Sequence, residues 1–257
     1  MCGLAGAILG KKRRRRDELR VVGGIVTELL IMNETRGTDA AGVAVIRKDG
    51  SHKLLKRPGP ASALAEDKLF HRVLELDNKV TVVLGHTRRK TRGSERNSLN
   101  NHPLRTGRVV GTHNGHLANA DHLARTLRLP RFAEVDSEVL FRLVDRAGDK
   151  EEFLRLLRRC RGRIAAAFVC LNDPTTAFLL KGNMPLHAAH VPKLRAAFYA
   201  SEPWMLDEAL SGLSRRELPL DPLTLSTFDT EALLDFTQED VAFRTPEATL
   251  WQAATPE

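Results

Sequence analysis

Seven uncharged residues, Gly3 to Leu9, begin directly behind Cys2 and are followed, after Gly10, by the unbroken basic run Lys11-Lys12-Arg13-Arg14-Arg15-Arg16. The apolar stretch is far too short to cross a bilayer. Its charges come after it, where a secretory signal carries them first. It reads as a buried strand, so the chain must fold around a strand that starts at its third residue. The six like charges repel one another and are expected in a solvated loop. Nucleic-acid contact is the sharper alternative for this run, but no aromatic residues are interleaved to stack on bases.

Cys2 itself stands in an unusual place. A cysteine at position 2 is small enough for the initiator methionine to be trimmed, which would leave a thiol and a free α-amine on one residue. An α-amine titrates near 7.7–8.0, so a useful fraction is unprotonated at neutral pH. The thiol is the intrinsically strong nucleophile. Nucleophile and base thus arrive together, as N-terminal-nucleophile catalysis requires. Taken alone, the residue is better read as a cysteine that position 2 merely tolerates.

Behind the basic run, Leu19, Val22, Ile25, Val26, Leu29 and Leu30 recur at helical spacing, with Asp17 as the expected N-cap and an end near Glu34. Gly42 to Arg47 and Leu54 to Arg57 read as a hairpin through Asp49-Gly50. A helix is expected over Ala63 to Leu76. A β-branched strand over Val80 to Leu84 delivers Gly85-His86-Thr87-Arg88 at its end. Arg89 to Asn101 is polar and basic, hence a loop or lid. A strand over Arg108 to Thr112 ends in His113-Asn114-Gly115. Helices follow at about Ala118–Leu127, Ser137–Ala147 and Lys150–Cys160. Ile164 to Leu171 and Ala177 to Lys181 form an expected antiparallel pair turned by Asn172-Asp173-Pro174. A strand over Ala197 to Ser201, a helix over Trp204 to Leu213 and short strands after Glu217 complete the reading. No linker or repeat interrupts the chain, so a single domain is expected over 2–245, with 246–257 as a tail.

The 257 residues carry a net charge of +8, which favours anionic partners without naming one. Three scattered cysteines, Cys2, Cys160 and Cys170, are no disulfide framework. With no membrane-length segment, a reducing, cytoplasmic setting is expected. Cys160 and Cys170 fall on regular elements and read as packing residues. His86, His102 and His113 lack the spacing of a zinc site, so no metal is assigned and no cofactor is called for.

Several polar loops at strand ends fit one job. Arg36 and Arg88 have the fork that matches a carboxylate. Asp136 can pair with an ammonium. Asn114 supplies an amide donor and Gly115 a backbone N–H, and two such donors aimed at one point make an oxyanion hole. Together with a thiol, these parts describe an amide hydrolase acting on an α-amino acid, and glutamine is the obvious candidate. Each part has a plainer reading. Arg36 could cap a helix, Arg88 could be a surface charge, Asp136 could cap the helix at Ser137, and Asn-Gly is most often a tight turn.

Five segments in order resemble the glutaminase domain of class II glutamine amidotransferases. They are Met1-Cys2-Gly3-Leu4-Ala5-Gly6, Arg36-Gly37-Thr38-Asp39-Ala40-Ala41-Gly42, Gly85-His86-Thr87-Arg88, Asn101-His102-Pro103 with His113-Asn114-Gly115, and Val135-Asp136-Ser137-Glu138. Ala200-Ser201-Glu202 is a weaker echo of a Ser-Asp pair common in that family. The match spans roughly Cys2 to Leu210. It implies an α+β, four-layer αββα sandwich of two antiparallel sheets flanked by helices, the N-terminal-nucleophile hydrolase fold. It also implies roles. Cys2 attacks the glutamine amide, and its α-amine shuttles the proton. Asn114 and Gly115 hold the oxyanion, Arg88 binds the substrate carboxylate, Asp136 binds its amino group, and Arg36 orders the N-terminal cysteine. Thr91 keeps its place in the pattern. Arg89 departs from it, standing where the sugar-synthase members carry an aromatic residue, and with Lys90 and Arg92 it makes the loop strongly basic.

The resemblance thus implies L-glutamine as substrate. Because family members usually continue into a domain that uses the ammonia, a separately encoded acceptor enzyme is expected as partner, and no membrane. The basic surface leaves contact with nucleotides or nucleic acid open. An amide hydrolase of other γ-glutamyl specificity is the alternative enzyme. A catalytically idle relative that binds through Lys11–Arg16 and Arg88–Arg92 is the alternative non-enzyme, favoured if Met1 stays on.

Overall fold

The computed structural model describes residues 1–214, 224–227 and 232–237. Strand β1 is Gly3–Leu9, buried throughout, and helix α1 is Arg16–Met32. The six apolar positions of α1 are all buried, the stripe of a helix laid on a sheet. Asp17 is not its cap but lies in the first turn. Arg15 takes the cap position, and Glu18 accepts the Arg15 backbone N–H at 2.8 Å, half of a capping box.

Strands β2 (Ala40–Arg47) and β3 (His52–Pro58) form the expected hairpin. The single helix expected over 63–76 is two, α2 (Ala61–Glu66) and α3 (Lys68–Val73). Asp67 divides them, because its carboxylate accepts the Leu69 N–H and its backbone is extended at a cap, the role a short acidic side chain favours over a helix interior. Strand β4 (Val80–Arg88) carries the 85–88 motif within it. Then come β5 (Leu104–Thr106), which the sequence did not announce, and β6 (Val109–Leu117). Asn114-Gly115 therefore lies inside a strand and is no tight turn. Helices α4 (Ala120–Thr126), α5 (Ser137–Arg146) and α6 (Lys150–Leu157) follow. Strands β7 (Gly162–Cys170) and β8 (Asp173–Lys181) pair as expected, but Asp173 and Pro174 belong to β8 and the turn is tighter. An unanticipated strand β9 (His187–Val191) precedes β10 (Ala196–Ala200), helix α7 (Pro203–Ser214), β11 (Thr224–Thr227) and β12 (Ala232–Thr237). The proposed tail over 246–257, and the boundary at 245, lie outside the described residues.

All pairings are antiparallel. One sheet runs β11-β9-β10-β1-β4-β2-β3, the other β12-β8-β7-β6-β5. They stack face to face. Apolar residues from α1, α2, α3 and α7 cover the outer face of the first sheet, while α4, α5 and α6 cover that of the second. The result is the αββα sandwich that the resemblance implies.

The layer between the sheets positions the site. Alternate residues of a strand share a face, and from Ile8, Ile46, Val82 and Val169 this layer is apolar as far as Leu4, Leu84, Val110 and Tyr199. Beyond them the same faces turn polar. His86 and Arg88 succeed Leu84 on β4, Thr112 and Asn114 succeed Val110 on β6, and Ser201 follows β10, all of them buried. One end of the sandwich interior is thus built of hydrogen-bonding groups, and Cys2 enters it from β1.

The basic run is only partly solvated. Arg14 is 5% exposed, and its guanidinium donates to the carbonyls of Gly10, Leu194 and Arg195 at 3.1, 3.0 and 2.7 Å. It fastens the end of β1 to the turn before β10, and burial lowers its pKa to about 10. Arg16 opens α1. The loop reading holds for the exposed Lys11 and Arg13.

Candidate active site

Cys2 is half-buried at the polar end of the sandwich, on a pocket of about 270 Å3. Met1, Arg89, Lys90, Thr91, Gly115, His116, Arg163 and Met184 complete its lining. The Cys2 Sγ accepts the Arg89 N–H at 3.3 Å. Gly37 makes that contact possible, since a Cβ there would come within 2.5 Å of the Arg88–Arg89 peptide. Burial pushes the Cys2 thiol up, and the Arg89 N–H, the α-amine, Arg88 and Arg36 oppose that rise. Arg36 is buried, and its Nε donates to the Cys2 carbonyl at 2.8 Å while Nη1 pairs with Glu202. It caps no helix by its side chain; it holds the N-terminal segment. With Met1 in place the nitrogen of Cys2 is a peptide amide, and the charged amine sits one residue earlier, its pKa lowered by burial.

Asn114 is fully buried, and its Nδ2 donates to Ser201 Oγ at 3.0 Å. Gly115 is exposed in the pocket with φ of +129°, and a Cβ there would lie 1.9 Å from the Arg163 carbonyl, so only glycine fits. His113 points away from the pocket into the helix layer, where Nδ1 meets Ser137 Oγ at 2.7 Å and props the strand from behind. His86 Nε2 lies 3.2 Å from the His113 carbonyl and must carry the proton to bond it, while burial holds its pKa near 3 and the ring neutral. His102 is buried beside it with ring centroids 4.3 Å apart. Among the described residues no group of three His, Cys, Asp or Glu side chains could hold a metal ion.

Asp136 is 7% exposed; its Oδ2 accepts the Leu117 N–H at 2.5 Å and lies 3.3 Å from His116 Nδ1. It stands at the cap position of α5, yet its side chain caps nothing there and reaches across to β6 instead. Arg88 is no surface charge. It is 3% exposed, and its guanidinium donates to Asn101 Oδ1 at 2.7 Å and to the carbonyls of Arg92 and Gly93 at 2.5 and 2.8 Å. These bonds pin the loop from 89 to 101, which Lys90 also ties to Asp39 and Glu95, and Arg92 to Asp121. Thr91 is exposed on the pocket. The structure therefore gathers Cys2, Gly115 and Thr91 on one pocket, while Asn114, Arg36, Asp136 and Arg88 are buried and do not line it.

Sequence reasoning missed His116 and Arg163. They are cross-strand partners in the β6–β7 ladder, and only that register reveals them as neighbours on the pocket. A second hollow, of about 240 Å3, lies between α6 and the outer face of β7 and β8. Its walls include Phe153, Phe168 and Phe178 and the Cys170 thiol, which burial pushes up; Cys160 nearby in the chain is pushed to about 12. Neither thiol has the environment of a nucleophile.

Two stacked antiparallel sheets between helix layers are the architecture of the N-terminal-nucleophile hydrolase fold. Glutamine phosphoribosylpyrophosphate amidotransferase from B. subtilis superposes with a TM-score of 0.66 over 93% of this chain and 48% of that one, at 20% sequence identity. No protein-family model matches the chain. Among curated proteins, 7-cyano-7-deazaguanine synthase from Sulfolobus acidocaldarius is 28% identical over 204 residues, 78% of this chain and 43% of the relative. Its counterpart from Saccharolobus solfataricus is 26% identical over 250 residues, 96% of this chain and 50% of the relative. Glutamine–fructose-6-phosphate aminotransferase (isomerizing) from Escherichia coli K12 is 30% identical over 194 residues, 72% of this chain and 29% of the relative. The chain is homologous to class II glutamine amidotransferases. It spans half or less of the length of these curated relatives.

Proposed function

We propose that the chain is a glutaminase that hydrolyses the side-chain amide of L-glutamine through a thioester on Cys2. The observation that carries this reading is the meeting of Cys2 and Gly115 on one pocket, with Asn114, the residue before Gly115 on the same strand, fixed by Ser201. Removal of Met1 converts the Cys2 nitrogen from an amide into an amine. The thiol attacks the amide carbon, the α-amine takes its proton, and the developing oxyanion is held by the Gly115 N–H and the second Nδ2 hydrogen of Asn114, the first being held by Ser201. The amine returns the proton to the leaving nitrogen, ammonia departs, and water attacks the γ-glutamyl thioester to restore the thiol. Asp136, through its place beside His116, is set to receive the substrate ammonium. Arg88 receives the carboxylate by exchanging lid carbonyls for a stronger, charged acceptor, and Thr91 stands at the same loop.

The ammonia has a use only if it is captured, and we assign it to an acceptor enzyme. The relatives support an acceptor, since in each the matched region is a fraction of a longer protein. A second reading is favoured by one observation: Arg88 is wholly engaged with the lid, and the pocket is lined instead by the exposed Arg163 and His116. That suits a γ-glutamyl compound other than the free amino acid. A panel of γ-glutamyl amides assayed beside glutamine separates the two; preference for glutamine supports the first, and indifference to it the second.

The pH profile tests the role of the amine. Only the neutral amine can accept the thiol proton, so kcat/KM must fall as pH drops through the amine pKa. An α-amine has an unperturbed pKa of about 7.7–8.0; the Met1 amine, one residue before the one that trimming exposes, is lowered from 8.0 by burial, and the Arg36 and Arg88 cations beside Cys2 disfavour a charged amine there. The acid limb is therefore expected below pH 8, with activity lost at lower pH and retained above it. A limb that appears only near the thiol's raised value contradicts the amine as base.

A further inference from the structure

We propose that Ser201 and Glu202, the two residues between β10 and α7, act as a clamp that sets the nucleophile strand against the oxyanion amide. This rests on Cys2 as nucleophile. The β1–β10 ladder ends at the pair Ala5 and Ala200, and the chain then turns away into α7. Ser201 supplies the next rung by other means. Its N–H donates to the Leu4 carbonyl at 3.0 Å, and its Oγ, in place of a strand carbonyl, accepts the Leu4 N–H at 2.8 Å. The same Oγ accepts the Asn114 Nδ2 at 3.0 Å. Leu4 belongs to the first sheet and Asn114 to the second, so one hydroxyl oxygen joins the strand behind Cys2 to the strand that carries the oxyanion donors.

Glu202 acts on the other side of Cys2. It pairs with Arg36, whose Nε holds the Cys2 carbonyl. The backbone around the thiol is thus fixed at Cys2 O and at Leu4 N, and both fixings trace to adjacent residues of one turn. The turn cannot drift, because Met205, Leu206, Ala209 and Leu210 seat α7 in the outer core at 0–1% exposure. An amide NH2 has two hydrogens. Anchoring one on Ser201 fixes the plane of the Asn114 amide and aims the other. Neither Ser201 nor Glu202 lines the pocket; they are positioning residues.

The test compares Ser201→Ala, Glu202→Gln and the double variant Ser201→Ala/Asn114→Ala with the parent, in full-length protein. Misplacing a catalytic group by about an ångström costs roughly 10²-fold. Ser201→Ala is expected to lower kcat about 10- to 100-fold with KM within about twofold, and to add little to the loss already caused by Asn114→Ala, because it acts through that amide. A merely structural residue gives losses that multiply. Glu202→Gln is read by the pH dependence of Cys2 alkylation with iodoacetamide, which needs no glutaminase activity and follows the thiolate. The charges facing Cys2 are the α-amine, Arg36 and Arg88. Removing the carboxylate that offsets Arg36 favours the thiolate, so the alkylation midpoint is expected to move to lower pH. Parent-like kcat in Ser201→Ala, fully multiplicative losses, or an unmoved midpoint in Glu202→Gln overturns the clamp. If the parent releases no glutamate, the glutaminase reading fails, and the alkylation midpoint still decides the clamp.

Discussion

Cys2→Ala is expected to reduce glutamate release from glutamine to the background of a blank reaction, a loss on the order of 10⁶-fold, the size seen when a covalent nucleophile is removed. Among the described residues neither other thiol can replace the sulfur. Cys160 is buried with its pKa pushed to about 12, and Cys170 faces the opposite hollow behind β7. His86 and His102 are buried, and desolvation opposes their taking up a proton, which makes both poor substitute bases for recruiting water. The substitution should leave the fold intact. Cys2 precedes β1, and its backbone contacts, the Arg36 bond to its carbonyl above all, do not involve the side chain. Steady-state ammonia or glutamate release, with a thermal melt as control, checks this.

Asn114→Ala is expected to lower kcat by about 10²–10³-fold, or about 3–4 kcal/mol of barrier, with KM little changed, because an oxyanion donor acts on charge that develops only in the transition state. The residue is wholly buried, and its side chain also meets the buried His86 ring. An alanine removes the Nδ2 bond to Ser201, whose Oγ keeps the Leu4 N–H. The cost to stability should be small against the cost to rate. A variant that loses both equally would make Asn114 a packing residue. Asn114→Asp should be slower still than alanine, since it sets a carboxylate where negative charge must grow.

The parts of this molecule that were legible in the sequence are those fixed by local physics. Seven apolar residues could only be a buried strand, and Leu19 to Leu30 repeat at the period of a helix laid on a sheet; both stand where they were expected. The polar segments at 36–42, 85–88 and 113–115 stood out as site candidates because their residue types together fit one job and their order resembles that of a known family. What escaped was whatever depends on a partner remote in the chain. Arg14 looked like one charge among six, and only the carbonyls of Gly10, Leu194 and Arg195 draw it inside. Arg88 looked like a ligand clamp, and its commitment to Asn101, Arg92 and Gly93 follows from how the lid folds back over β4. His116 meets Arg163 through a register that no periodicity encodes. Ser201 had only a two-residue echo to mark it, because its rung with Leu4 joins residues 197 positions apart. Strand β9 reads His-Ala-Ala-His-Val, too short and too weakly apolar to show before its neighbour β10 is known.

The most direct test of the glutaminase reading is mass spectrometry of protein mixed with glutamine and quenched in acid within the first turnovers. The expected result is a chain that begins at Cys2, carrying one glutamyl group on the N-terminal peptide as a thioester that hydroxylamine removes. Active protein that retains Met1, or a glutamyl group attached anywhere other than Cys2, would contradict a mechanism in which sulfur and amine share one leading residue.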